Sequence, residues 1–257
     1  MSVDAGDMKQ SRVLFIGIDD TDNLETRGTG YRARQLIELL ETEVLAKGLS
    51  VTRHQLLVDD HVPYTSHNSS ACLAVLPHVG VSDTAIMDCC RQFLLDIAAP
   101  GSDVGLCLAD EQQAAAVTSF GQRAKVELLF QPQARDAAAE HGIRLEGLTG
   151  DFQGIIGALS AVGLHVFGDD GRYLWPRDLR EYTGDTVSLE TLLQCEGVDQ
   201  VALSDGTAVT ENMASIQIGE WPRTVRINQQ AVLLVEQTNE QNGYKVLAKQ
   251  AIKSIRP

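Results

Sequence analysis

The sequence predicts an α/β or α+β domain built around a strand, an acidic loop and a helix, followed by a small β-rich module. Three observations predict it. Short apolar runs alternate with segments of helical period over the first two thirds of the chain. Past Val198 the pattern changes to brief apolar stretches broken by turn residues. The charge changes as well: 201–257 holds six Lys or Arg against five acids, whereas the residues before it carry a net charge of -15. We place the boundary at residue 183, giving units 1–183 and 184–257.

Val13 to Ile18 is apolar without alternation and runs into a Gly and Asp cluster, the pattern of a strand buried on both faces. From Tyr31 to Lys47, Ala33, Leu36, Leu40 and Val44 recur at helical spacing with Ile37 and Leu45 beside them, and Gly48 stands as a C-terminal cap. Val51 to Val58 and Ala71 to Leu76 read as strands separated by a turn-rich stretch. Ser82 caps a helix reaching about Ala98, with Ile86, Cys90, Phe93, Leu94 and Ile97 inward. Val104 to Leu108, Val126 to Phe130 and Ile143 to Leu148 are further strands, with Ala-rich helices between them. Thr149 or Asp151 starts a helix whose early glycines, Gly154 and Gly157, leave its backbone open, and Asp170-Gly171 signals a hairpin. The segments after Val198 read as a β-meander.

The formal net charge is -14 and the sequence pI near 4.8, so the chain as a whole repels nucleic acid and anionic membrane. The five cysteines, an odd number without CxxC spacing, read as small buried apolar residues of a reducing compartment. With no long apolar span and no leader pattern, the expected location is the cytoplasm.

The loop "IGIDDTDN" packs Asp19, Asp20 and Asp22 into four positions at a strand end. Magnesium takes hard oxygen ligands, uses one or two protein carboxylates and completes its shell with water and phosphate. A strand end meets that need, because the strand fixes the backbone while the loop leaves the carboxylates reachable. The bland alternative is a solvated acidic turn.

"IGIDDTDN" followed by "GTGYRARQL" resembles the start of the archaeal tRNA(Ile) agmatinylcytidine synthetase family, with its G-I-D-D-T-D-S motif and threonine-bearing loop leading into a helix. "VPYTSHNSSA" is similar to that family's proline, threonine and Gly-Asn segment, and "GDFQGIIGALSAVG" to its Gly-rich helix start. The resemblance covers about the first 180 residues and implies a kinase-like domain in which Asp19, Asp20 and Asp22 hold Mg2+ and the phosphates of ATP. It makes Thr29 the counterpart of a threonine phosphorylated in turnover, although "GTGY" keeps one threonine where the family has Cys-Thr-Thr. The family's lysine between Tyr64 and Thr65 is missing, and His67 stands where a glycine is expected. Beyond the matching part, the sequence carries neither the family's agmatine-receiving domain nor its OB-fold and zinc ribbon.

Other candidates follow from residue chemistry. Arg27 flanks the acidic loop as a counter-charge for phosphate, and the turn Gly28 to Gly30 is a phosphate-contacting loop. His67 is a general base or donor to phosphate, and Asn68 a hydrogen-bonding partner of phosphate or base. Gly150 and Gly154 flank a helix N-terminus that either binds an anion or packs tightly. The remaining histidines, His54 and His61 among them, read as scattered surface groups. Trp221 either stacks a base or seals a junction, and Lys245, Lys249 and Lys253 read as a solvated face.

These features point to an ATP- and magnesium-dependent phosphoryl-transfer or substrate-activating enzyme with a small-molecule acceptor; the acidic charge disfavours nucleic acid. Two alternatives stand beside it. One is a non-catalytic nucleotide-binding module. The other is an Asp-nucleophile phosphohydrolase, since Asp20-Thr21-Asp22 also resembles the Asp-x-Asp of the haloacid-dehalogenase superfamily.

Overall fold

The computed structural model describes residues 12–62, 68–176, 178–211 and 213–255. β1 (Leu14–Asp19) passes through the acidic loop into α1 (Thr29–Thr42), followed by the antiparallel pair β2 (Ala46–Gln55) and β3 (Ser69–Pro77). α2 (Asp83–Ile97) precedes β4 (Gly105–Asp110), and α3 (Glu111–Ala116), α4 (Thr118–Arg123) and α5 (Gln131–Glu140) lead to β5 (Arg144–Gly147). α6 (Ile155–Phe167) returns the chain to β6 (Arg172–Trp175). A 3-10 turn (Asp178–Tyr182), β7 (Thr186–Ser188) and α7 (Leu189–Leu193) precede β8 (Gln200–Leu203), β9 (Ser215–Gln217), β10 (Thr224–Ile227), β11 (Gln230–Gln237), β12 (Gly243–Val246) and α8 (Lys249–Ile255).

The result is a mixed α/β fold on one large sheet, ordered β5-β4-β1-β3-β2-β6-β10-β11-β12-β9-β7, with β8 paired along β11. β1 shows why its run lacks alternation: Leu14, Ile16 and Ile18 enter the core shared with α1 and α2, while Phe15 enters the core under α6. α6 is apolar nearly all round because it lies buried against the sheet. β11 repeats the two-sided pattern farther along, with Leu233 and Val235 on one side and Val232 and Leu234 on the other. Two antiparallel contacts, β2 with β6 and β6 with β10, carry the sheet from the first part of the chain into the last. Among the described residues no helix is long and apolar enough to cross a membrane.

Several elements match the sequence reading closely. β1, β3 and β4 fall where apolar runs place them, and the Ser82 hydroxyl caps α2 by accepting the Ala85 N–H at 3.2 Å. Others differ for identifiable reasons. Gly48 lies in β2 rather than capping α1, because the chain turns back at Thr42 and Ala46 already pairs with Pro77. Val126 to Phe130 forms no strand: β5 occupies the sheet edge beside β4, leaving Val126, Leu128 and Phe130 exposed. Asp170-Gly171 joins helix α6 to β6, so the residues before it offer no strand for a hairpin. Nor do Thr149 and Asp151 begin α6, since the Thr149 hydroxyl donates to the Ser102 carbonyl and accepts from Val104 N–H.

His54 is fully buried on β2 and not a surface residue. Its Nδ1 lies 2.9 Å from Asp170 Oδ1 and its Nε2 2.8 Å from Thr52 Oγ1, which is also 2.8 Å from His165 Nδ1. Lys125 balances the carboxylate at 2.6 Å. Burial holds both imidazoles below the ordinary histidine value of 6.5, His165 well below, so both stay neutral. An unfolded chain protonates these rings before the folded one does, so stability falls as pH drops below about 6.5. The expected slope is up to about 1.4 kcal/mol per pH unit for each histidine. Urea midpoints at pH 7.5 and 5.5 check this, and His165→Asn should flatten the dependence.

Candidate functional site

The C-terminal end of β1 delivers the acidic loop to the edge of a cavity. Asp19 pairs with Gly105 on β4 and, being two residues from Gly17, faces α6. Close approach there depends on glycine: a Cβ at Gly157 would stand 1.8 Å from Asp19 Oδ2, and one at Gly154 would stand 2.4 Å from the Asp103 carbonyl oxygen. The Asp19 carboxyl is pushed up to about 8, first by burial and then by the neighbouring charge of Asp20. Asp20 adopts the left-handed backbone region, φ 51°, and its Oδ2 accepts the Asp103 N–H at 3.1 Å. Burial raises its pKa also, with Asp103 and Asp22 adding like charge.

Asp22 has a different task. Its Oδ1 accepts both the backbone N–H and the hydroxyl of Thr29, each at 2.9 Å, and so covers the first turn of α1, whose N-cap Gly28 has no side chain for that purpose. The Thr29 oxygen in turn accepts from Thr21, through N–H at 3.4 Å and hydroxyl at 3.1 Å. Thr29 is therefore buried with its hydroxyl engaged on both sides, and it latches the acidic loop to the helix.

Asp19, Asp20, Asp22, Thr29, Asn68 and Gly154 line one cavity of about 250 Å³, whose remaining wall is largely apolar and includes Leu57, Leu128 and Phe130. Asn68 acts in part as a strut, donating from Nδ2 to the Leu57 carbonyl. Gly150 stands outside this cavity, with φ 57° and no room for a Cβ beside Asp103. Gly154 N–H is used by the Asp103 carbonyl at 2.8 Å, so both glycines serve close packing. Arg27, Gly28 and Gly30 line a second cavity on the other side of Asp22, Thr29 and Ser69, the residues common to both. His67 lies outside the described residues. His61 is exposed at the first cavity, with Nδ1 2.6 Å from Asp59.

The donor set is oxygen only, which suits magnesium. Among the described residues no three His, Cys, Asp or Glu side chains converge as a closed metal cage. The arrangement fits a cation held by one or two carboxylates and completed by water and phosphate. Asp20 and Asp22 each give one oxygen to the loop itself, Asp20 Oδ2 to the Asp103 N–H and Asp22 Oδ1 to Thr29, while both line the cavity.

Two contributors carry little signal in the sequence. Asp103 organises the loop through its N–H, its carbonyl and its Oδ1, which accepts Asp151 N–H at 2.8 Å. The basic wall of the second cavity comes from five separated segments, around Arg27, Arg53, Arg172, Arg223 and Lys249; of these, the last three stand far from the acidic loop in the chain, and only the Lys249 and Lys253 periodicity and the "WPRT" stretch are conspicuous there.

No protein-family profile matches the chain, and no curated protein matches it. Solved structures do. The complex of TiaS with an isoleucine tRNA and ATP is similar at 25% identity and a TM-score of 0.51, over 59% of this chain and 36% of that one. Apo TiaS, an agmatidine synthetase of the same tRNA, matches at 23% and 0.51, and a tRNA fluorescent labeling enzyme at 24% and 0.52. The chain thus has a TiaS-like fold and spans about a third of the length of those proteins.

Proposed function

We propose, from this TiaS-like fold, that the chain is an ATP- and magnesium-dependent enzyme of the synthetase or phosphotransferase kind acting on a small-molecule acceptor. One observation carries the reading: the aspartate loop and the Thr29 latch form the acidic end of a cavity whose remaining wall is largely apolar, in a fold solved elsewhere with ATP. Such a cavity suits a nucleotide, with the base against Leu57, Leu128 and Phe130 and the phosphates toward the aspartates. We assign nucleotide binding to the unit 1–183 and closure of the second cavity to 184–257.

Asp19 and Asp20 are the carboxylates that would hold Mg2+, which when bound neutralises phosphate charge. Arg27, in the second cavity, stands on the acceptor side as a counter-charge. Asp22 touches both cavities and is placed to take the acceptor's proton as its nucleophilic atom bonds to phosphorus and the bond to the leaving phosphate oxygen breaks. The net charge of -14 weighs against a nucleic-acid acceptor.

The test is titration of the protein with ATP in magnesium and in EDTA, followed by resolution of nucleotide products. Binding that requires magnesium, with formation of ADP or of AMP and pyrophosphate, is expected. Equal binding in EDTA together with unchanged ATP after long incubation would overturn the reading.

A further inference from the structure

The second cavity is opposite in charge to the rest of the chain. It measures about 410 Å³, and Arg53, Arg172, Arg223, Lys249 and Lys253 join Arg27 on its walls, with Asp22 the one carboxylate among the described lining residues. Two of these cations are buried in an unusual way. Arg172 is 4% exposed and Arg223 8%, yet Arg172 Nη1 and Arg223 Nε have no acceptor among the described residues. Their guanidinium groups, with the Lys249 ammonium, surround the Trp221 ring at 5.5–5.7 Å. Cation–π attraction offsets part of the cost of gathering like charges but satisfies no N–H. The crowding is felt by neighbours: burial and the charge of Arg172 bring Arg53 down to about 10, and Lys253 is lowered by burial, Lys249 and Arg172.

We propose that this cavity binds the phosphate group of a phosphorylated small molecule, which is the acceptor of the chemistry inferred above and rests on that reading. A concave site lined by Arg27, Arg53, Arg172, Arg223, Lys249 and Lys253, two of whose guanidinium groups keep an unsatisfied nitrogen, is matched by a compact dianion with several acceptor oxygens. The cavity volume suits a small phosphate ester. An extended nucleic acid needs a broad basic surface, and a chain of net charge -14 concentrates its positive charge here instead. Asp22, Thr29 and Ser69 line both cavities, so an acceptor held in one is adjacent to a nucleotide held in the other.

The experiment is a titration of the full chain with inorganic phosphate in EDTA, read by 31P line broadening and thermal shift. It is repeated with magnesium and a saturating non-hydrolysable ATP analogue. Phosphate is expected to bind in both conditions with affinities within about threefold. Arg223→Gln should weaken it at least tenfold, and so should Lys249→Gln with Lys253→Gln on α8, where neither lysine is buried; Lys47→Gln, an exposed lysine elsewhere, should leave it unchanged. Absence of phosphate binding, equal binding by both basic-site variants, or equal loss in Lys47→Gln would overturn the proposal. Displacement of phosphate by the analogue would give the site to the nucleotide itself, and micromolar tRNA binding lost in the same variants would give it to nucleic acid; either result overturns the acceptor assignment. Site-specific phosphate binding in a protein that fails to bind ATP would leave this site standing and remove the proposed function.

Discussion

Asp20→Asn is expected to fold as the parent does and to lower nucleotide turnover by about 100-fold or more. The substitution separates charge from structure. Asp20 sits at φ 51°, a region that asparagine tolerates, and the amide oxygen can still accept the Asp103 N–H that Asp20 accepts now. What disappears is the negative charge facing the cavity beside Asp19. Asp20→Ala would mix that loss with about 1–3 kcal/mol from leaving the Asp103 N–H without its acceptor. Melting temperature and steady-state turnover, measured on the same preparation, check the expectation. Turnover within a few-fold of the parent would mean that Asp20 only shapes the loop.

Gly17→Ala is expected to cost about 3 kcal/mol of stability, through overpacking that the structure cannot relieve locally. The added Cβ would lie 1.9 Å from the Ala158 carbonyl oxygen and 2.8 Å from its carbon. Both are backbone atoms of α6, so no rotamer change makes room and the helix must lift from β1. For a chain of this size that corresponds to a fall in Tm of roughly 6–12 °C. Since α6 also carries Gly154 and Gly157 against Asp103 and Asp19, its displacement would loosen the floor of the site. Chemical denaturation gives the measurement; an unchanged midpoint would show that α6 does not rest on β1 at this distance.

Much of the first half was legible in the chain. The apolar run into Asp19, Asp20 and Asp22, the helix after Gly28 and the Ser82 cap each follow from local chemistry, so the strand, acidic loop and helix could be placed in order. The glycines of "GDFQGIIGALSAVG" were visible too, but not their purpose. A flexible glycine and one that lets two backbones touch look alike until the partner, here Asp103 or Asp19, is known. Lys249 and Lys253 show the same ambiguity: a four-residue spacing describes a stripe on a helix, and only the packing of α8 near Trp221 turns it toward a cavity.

By itself the sequence determined where carboxylates cluster, which runs are buried and where the acidic part of the chain gives way to a basic tail. Those properties depend on neighbours within a few positions. Tertiary structure alone decided that Asp22 caps α1 through Thr29, that His54 and His165 share a buried network, and that Arg53, Arg172 and Arg223 converge beside α8. Each of these depends on strands or helices brought together across tens to more than a hundred residues, and the free energy of such contacts is set by burial and geometry that no local pattern encodes.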